Sequence, residues 1–209
     1  FKLNILNSII ERRLILQEAE EMGIEAEVTD KEVDDTLNKV IEQNKTTKEK
    51  LKKDLEDKGY SLESLKNDLR SNLKTQQTIQ KTVEQSYSNI KVSEEEIKEK
   101  YNKQYQDKKD QPSYKDKKEE IEKTLLQQKK NKSYNNWMEN LKSRADIKIY
   151  DSALKGVSEY KNENYSQAIK SFNKALEKSK APENYVYLAQ SYNKNNNSDK
   201  AIKNKKKAV

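Results

Sequence analysis

The stretch SLESLKNDLRSNLKTQQTIQKTVEQ, residues 61–85, has the pattern of a long amphipathic helix. Ser61 precedes the pattern, and a serine hydroxyl there accepts a hydrogen bond from a free N–H group of the first helical turn. The side chains that share one helical face are Leu62, Leu65, Leu69, Leu73, Gln76, Ile79 and Val83. One mainly apolar face on a charged helix predicts packing against other helices.

The segments before this stretch also predict helices. Residues 1–22 carry apolar side chains around most of the helix and end at Gly23, where a glycine with positive φ stops a helix. Thr29 and Glu32 have the spacing of a capping box, in which each side chain bonds the other residue's backbone N–H. A short helix around residues 51–55 comes next. The first 60 residues therefore predict three helices.

The segments after the stretch contain a polar interruption. Ser93 and Glu96 repeat the capping box and start another helix. Residues 104–113 then predict a loop, and residues 121–141 predict a further long helix. The sequence ADIKIY, residues 145–150, alternates apolar and polar side chains and predicts a short strand that needs a partner strand.

The composition favours an all-α fold with at most one short β element. Apolar residues make up 32% and charged residues 38% of the 209 residues, against roughly a quarter charged in ordinary globular proteins. With only three glycines and two prolines, the chain has few of the turn residues that a sheet-rich fold needs. We expect extended, surface-exposed helices with a thin core.

The chain contains no cysteine and no histidine. Their absence excludes a thiol nucleophile, a Ser-His relay, an imidazole acid or base, and the usual structural zinc sites. The remaining carboxylates, lysines and tyrosines form no recognisable catalytic set. The sequence therefore predicts no catalytic residue, no metal ligand and no cofactor.

The formal net charge is +7, and basic residues predominate after the first 45 residues. Nucleic-acid binding is one interpretation, supported by the cluster KNKKK at residues 203–207. A solvated lysine-rich surface is the other, and it is preferred because lysines alternate with acids along most helices. No stretch reaches the roughly 20 apolar residues of a membrane span. We expect no nucleic-acid partner, and membrane attachment only through a segment upstream of Phe1.

The order of these segments resembles the helical chaperone module of SurA- and PrsA-type foldases, and more distantly that of trigger factor. The resemblance is carried by ILNSIIERRLILQEAEEMGI, VTDKEVDDTL, GYSLESLKNDLRSNLKTQQTIQKTV, VSEEEIKEKY and YNNWMENLKSRADIKIY, and it covers residues 1–150. In that family a parvulin prolyl isomerase domain commonly follows the VSEEEIKEKY-like helix. Here only the loop at residues 104–113 stands in that place, which implies a module without the isomerase.

The resemblance implies binding of unfolded or partly folded polypeptides, without ATP, in a cleft between helices, and a location outside the cytoplasm. A cytoplasmic location stays open because trigger factor carries a similar module. Apolar and aromatic side chains suit such a cleft, although each of them also suits a helical core. The candidate client-binding residues are Leu69, Leu73, Ile79, Tyr101, Tyr134, Trp137 and Met138.

Residues 151–209 resemble two tetratricopeptide (TPR) repeats. Ala168 and Ala201 are 33 positions apart, as are Ala175 and Ala208, close to the repeat period of about 34. The predicted packing residues are Gly156, Tyr165, Ala168, Phe172 and Ala175 in the first copy, and Tyr185, Leu188, Ala189, Tyr192, Ala201 and Ala208 in the second. The second copy departs from the pattern at Lys205, where the first has Phe172.

Two repeats rarely stand alone. They would pack on the preceding module, continue beyond Val209 or pair with a second copy in an oligomer. A TPR groove commonly binds peptides, which implies a protein partner.

Three functions fit the sequence. The first is an ATP-independent holdase with a repeat platform for protein partners. The second is a prolyl isomerase family member whose catalytic domain is lost or lies elsewhere. The third is a structural adaptor without chaperone activity, which acts through its repeats.

Overall fold

The computed structural model describes residues 2–106 and 111–208, and within them the chain is all-α, as predicted. Residues 107–110 of the predicted loop lie outside the described residues. The helices of the described part are α1 (Lys2–Met22), α2 (Asp30–Gln43), α3 (Lys48–Glu56), α4 (Leu62–Gln85), α5 (Glu94–Tyr105), α6 (Tyr114–Arg144), α7 (Ser152–Lys161), α8 (Tyr165–Lys178), α9 (Pro182–Lys194) and α10 (Ser198–Lys207).

The short strand predicted at residues 145–150 does not form. These residues are neither helix nor strand in the structure. A strand needs a neighbour with which to exchange ladder hydrogen bonds, and the described residues contain no strand that could pair with it. The alternation of Ile147 and Ile149 was therefore a misleading signal.

Two compact units make up the chain: Glu11–Arg144, and Phe1–Ile10 together with Ala145–Val209. We call them the central unit and the terminal unit. The predicted division of the chain into a chaperone module at residues 1–150 and a repeat array at residues 151–209 stays a prediction.

Helix ends follow the capping residues that the sequence predicts. The Thr29 hydroxyl accepts a hydrogen bond from the Glu32 backbone N–H, and the Glu32 carboxylate accepts one from the Thr29 N–H at 2.8 Å. Ser93 and Glu96 form the same reciprocal pair, and Ser61 caps α4. Gly23 has a φ of +66°, as the helix stop requires.

The central unit joins its helices through thin apolar seams and ion pairs. Val33 and Leu37 of α2 are fully buried, and α2 packs on α4. At the edge of the same interface, Lys66 of α4 lies 2.6 Å from Asp34 of α2. The predicted apolar face of α4 is only half-buried, with Gln76 exposed.

In the terminal unit, helices α7 to α10 each pack on the next in the chain. Gly156 of α7 lies directly against Phe172 of α8, and the phenyl ring stacks on Tyr187 of α9 with centroids 5.6 Å apart. The predicted packing residues that are buried are Gly156, Ala168, Phe172, Ala175, Leu188, Ala189 and Ala201, whereas Tyr165, Tyr185, Tyr192 and Ala208 are half-buried. Two successive helical hairpins result, and their assignment as TPR repeats stays a prediction.

Replacement of Gly156 by alanine should destabilise the terminal unit. A Cβ atom at this position would lie 2.9 Å from three ring carbons of Phe172, closer than van der Waals contact allows. Overpacking costs about 1–3 kcal/mol and outweighs the gain of about 1 kcal/mol in helix propensity. We expect urea unfolding to show that Gly156→Ala lowers the free energy of unfolding by about 1 kcal/mol.

The double variant Gly156→Ala/Phe172→Leu separates the clash from other effects. A leucine leaves room for the new methyl group, so the two substitutions should cost less together than the sum of their separate costs. Strict additivity would contradict a steric clash between these two positions.

Candidate functional site

A groove runs beside α4 where α1 ends, with a volume of about 540 Å³. We call it the α1–α4 groove. Its apolar part comes from Leu16, Ala19 and Ile24, and charged groups from both helices surround that part. Its complete lining is Arg13, Leu16, Gln17, Ala19, Glu20, Gly23, Ile24, Glu25, Lys74, Thr75 and Thr78.

The groove depends on the segment that follows α1. Gly23 turns the chain, and residues 24–29 then continue without helical structure to α2. Ala26 in this segment is fully buried, and its backbone N–H donates a hydrogen bond of 3.0 Å to Thr78 Oγ1 on α4. This bond anchors the segment to α4, because a buried N–H without a partner would be costly. Nothing in the periodicity of α4 distinguished Thr78 in advance.

A second groove, the α4–α6 groove, has a volume of about 610 Å³. Ile24 contributes to it as well, so the two grooves adjoin at this side chain. Lys130 of α6 lies over the Tyr87 ring, with its Nζ 5.1 Å from the centroid. The complete lining is Ile24, Lys81, Glu84, Gln85, Tyr87, Ser88, Ile90, Leu126 and Lys130.

Both grooves combine half-exposed apolar side chains with charges of both signs. Lys74 forms an ion pair with Glu25 and lowers the pKa of that carboxyl group. Outside the two linings, hydrogen bonds from Thr29 and from Gln77 of α4 lower the pKa of Glu32 on α2. These carboxylates stay ionised at neutral pH. The linings can therefore contact apolar and polar parts of a polypeptide.

The predicted client-binding residues lie elsewhere, since none of the seven lines either groove. Met138 and Tyr101 are buried, with exposed fractions of 4% and 8%. Five are half-buried: Leu69, Leu73, Ile79, Tyr134 and Trp137. Tyr134 and Trp137 contact each other on α6 with ring centroids 6.0 Å apart. Their role in client binding stays a prediction.

Tyr101 belongs to a small core between α5 and α6, at the position of the predicted loop. Ile97, Tyr101, Tyr105 and Ile121 form its buried centre. The Tyr101 hydroxyl donates a hydrogen bond to the Pro112 carbonyl oxygen, and Tyr114 donates one of 2.7 Å to Glu94 Oε1. These contacts hold α5 and α6 against each other on both sides of the predicted loop.

Two kinds of feature are absent from the part of the chain that the structure describes. It brings together no cluster of three or more acidic side chains suited to a metal ion. No helix within it combines the length and the apolar character that a bilayer crossing requires.

Replacement of Thr78 by valine should weaken the attachment of the segment after α1. Valine fills the same volume but leaves the buried Ala26 N–H without an acceptor, a loss of about 1–3 kcal/mol in the free energy of unfolding. Urea unfolding followed by circular dichroism measures this loss. Thr78→Ser keeps the hydroxyl and should be closer to the original protein, and equal stabilities of the serine and valine variants would contradict the role of the hydrogen bond.

Tyr114 should make stability depend on alkaline pH. Partial burial and the hydrogen bond to Glu94 raise its pKa to about 12, above the ordinary value of about 10. The protonated phenol thus contributes stability that is complete below about pH 10 and is lost as the pH rises through about 12. Between pH 8 and pH 11, the free energy of unfolding measured with urea should decrease less for Tyr114→Phe than for the original protein.

Tyr150→Phe is the matched control for this measurement. Tyr150 has an exposed fraction of 87%, and its substitution should leave the decrease between the two pH values unchanged. If Tyr114→Phe showed the full decrease, the proposed contribution of Tyr114 would be wrong.

Comparison with known families gives a match in the first part of the chain. Residues 1–80 match the family model described as SurA N-terminal domain. Comparison with curated proteins and with solved structures gives no match. The matched residues include every residue that lines the α1–α4 groove. The match supports a SurA-type helical chaperone module in the first part of the chain.

Proposed function

We propose that this protein is an ATP-independent holdase that binds unfolded or partly folded polypeptides in the two grooves beside α4. The observation that carries the proposal is that the α1–α4 groove lies wholly within the residues that match the SurA N-terminal domain. We further propose that helices α7–α10 act as TPR-like repeats for protein partners. The resemblance favours a location outside the cytoplasm.

The mixture of apolar and charged side chains in the two grooves supports weak binding of polypeptides with many different sequences. An unfolded chain presents apolar side chains at irregular intervals between polar ones, and the grooves present Leu16, Ile24 and Leu126 among long lysine and glutamate side chains. Long charged side chains can move to admit different residues while they keep the free protein soluble. Release needs no nucleotide because each contact contributes little.

The first experiment is light scattering of a chemically denatured client protein on dilution, at several ratios of the protein and at moderate salt. Moderate salt suppresses simple charge attraction between the basic protein and its client. We expect near-stoichiometric suppression of aggregation. Failure with several unrelated clients would contradict the holdase proposal, and tight binding of one folded partner would then favour the adaptor.

A matched pair of variants tests the grooves themselves. Ile24→Lys places a charge at the side chain shared by both grooves, and half-maximal suppression should then need about fivefold more protein. Ile9→Lys introduces the same charge at a position with an exposed fraction of 59% that lines neither groove. Circular dichroism melting checks that both variants fold. Equal activity of the two variants would place client binding elsewhere.

A peptide isomerisation assay separates the enzyme alternative from the holdase. We expect no acceleration because the chain has no histidine and no residues that form a catalytic set. Acceleration in proportion to protein concentration would overturn the assignment as a non-enzyme.

A further inference from the structure

An apolar groove lies between α9 and α10, with a volume of about 430 Å³. We call it the terminal groove. Val186, Ala189, Ala201 and Ile202 provide its apolar surface, and Val186 and Ile202 have exposed fractions of 42% and 56%. The exposure of two large aliphatic side chains on one surface is a feature of sites that a partner covers.

The internal repeat indicates which kind of structure fits this groove. A shift of 33 positions relates Ala168 to Ala201 and Ile169 to Ile202. In the first hairpin, Ala168 is fully buried and Ile169 packs in the same cluster as Leu188 of α9. The equivalent surface of α7 and α8 is thus covered by a helix. The terminal groove occupies the equivalent positions of the second hairpin, and no helix of the described residues covers it.

The chemistry of the terminal groove differs from that of the covered surface. Three apolar or aromatic side chains of the cluster that includes Leu188 of α9 are replaced by polar ones, so an identical helix would leave polar groups without partners. Helix α10 also carries five lysines against one aspartate. A helix with carboxylates beside an apolar stripe would offer hydrogen-bond partners to the polar side chains of the groove. The same carboxylates would pair with the lysines of α10. The replacements are Val157 by Gln190, Tyr160 by Asn193 and Phe172 by Lys205.

We propose that the terminal groove binds an amphipathic helix of a partner protein whose apolar stripe is flanked by acidic residues. The apolar stripe covers Val186 and Ile202, and a carboxylate of the partner pairs with Lys205. Such an interface uses helix-in-groove recognition, with anchors at intervals of three and four residues. The inference rests on the proposed role of α7–α10 in binding protein partners, and it does not depend on client binding by the grooves beside α4.

The probe is a synthetic fluorescein-labelled peptide of 18 residues, with leucines at helical spacing and glutamates on both sides of the stripe. Fluorescence anisotropy with the full chain should give a dissociation constant on the order of 10 μM. A scrambled peptide of identical composition should bind at least about tenfold more weakly, because it cannot place its leucines on one face. A peptide with lysines in place of the glutamates should bind more weakly still.

Variants of α10 test the location. Lys205→Glu reverses a charge in the groove, and Lys203→Glu makes the same change at an exposed residue outside it. The first should weaken binding of the acidic peptide about tenfold and the second only about twofold, through long-range charge. Ile202→Ser removes apolar contact without a change of charge and should also weaken binding about tenfold. Circular dichroism checks that each variant is folded.

Three results would overturn the proposal. Equal affinity for the acidic and the lysine peptides would contradict the charge preference. Equal effects of Lys205→Glu and Lys203→Glu would place the site elsewhere. Self-association of the chain that Ile202→Ser abolishes, without binding of the acidic peptide, would assign the groove to a second copy of the chain.

Discussion

The scarcity of apolar side chains constrains every other feature of this molecule. With charged residues more frequent than apolar ones, no helix can bury more than a narrow face, and the helices join along thin seams. Capping side chains then satisfy the backbone at helix starts, and ion pairs such as Lys142 with Glu11 connect helices at the edges of the seams. Exposed ion pairs contribute only about 0–1 kcal/mol each. Stability is therefore spread over many small local contributions.

The same constraint explains why the grooves exist. Helices with narrow apolar faces cannot fill the space between three neighbours, so α4 contacts α2 closely and leaves open spaces towards α1 and α6. The hydrogen bond between Ala26 and Thr78 holds the connecting segment where apolar packing alone could not. The open spaces beside α4 are thus a consequence of sparse packing between the helices.

The sequence predicted local features well, whereas it did not predict the grooves. Caps and glycine stops at Thr29, Ser93 and Gly23 depend on neighbours within a few residues, and the structure confirms them. Tyr101 and Met138 have side chains suited to either a core or a binding surface, and only the tertiary structure shows that they are buried. The grooves depend on which helices meet, and helical periodicity does not specify that. The prediction of a strand at residues 145–150 was wrong because a strand requires a partner strand, which the local sequence does not reveal.

The closed core between α5 and α6 has a consequence for how the chain can change in evolution. Ile97 of α5 and Ile121 of α6 are buried in this core and belong to the two helices themselves, whereas Tyr101 also bonds Pro112 in the connection between them. The entropic cost of closing a connection grows only by about 0.6 kcal/mol for each doubling of its length. A junction of this kind tolerates the gain or loss of a whole domain between two helices while the flanking helices keep their register.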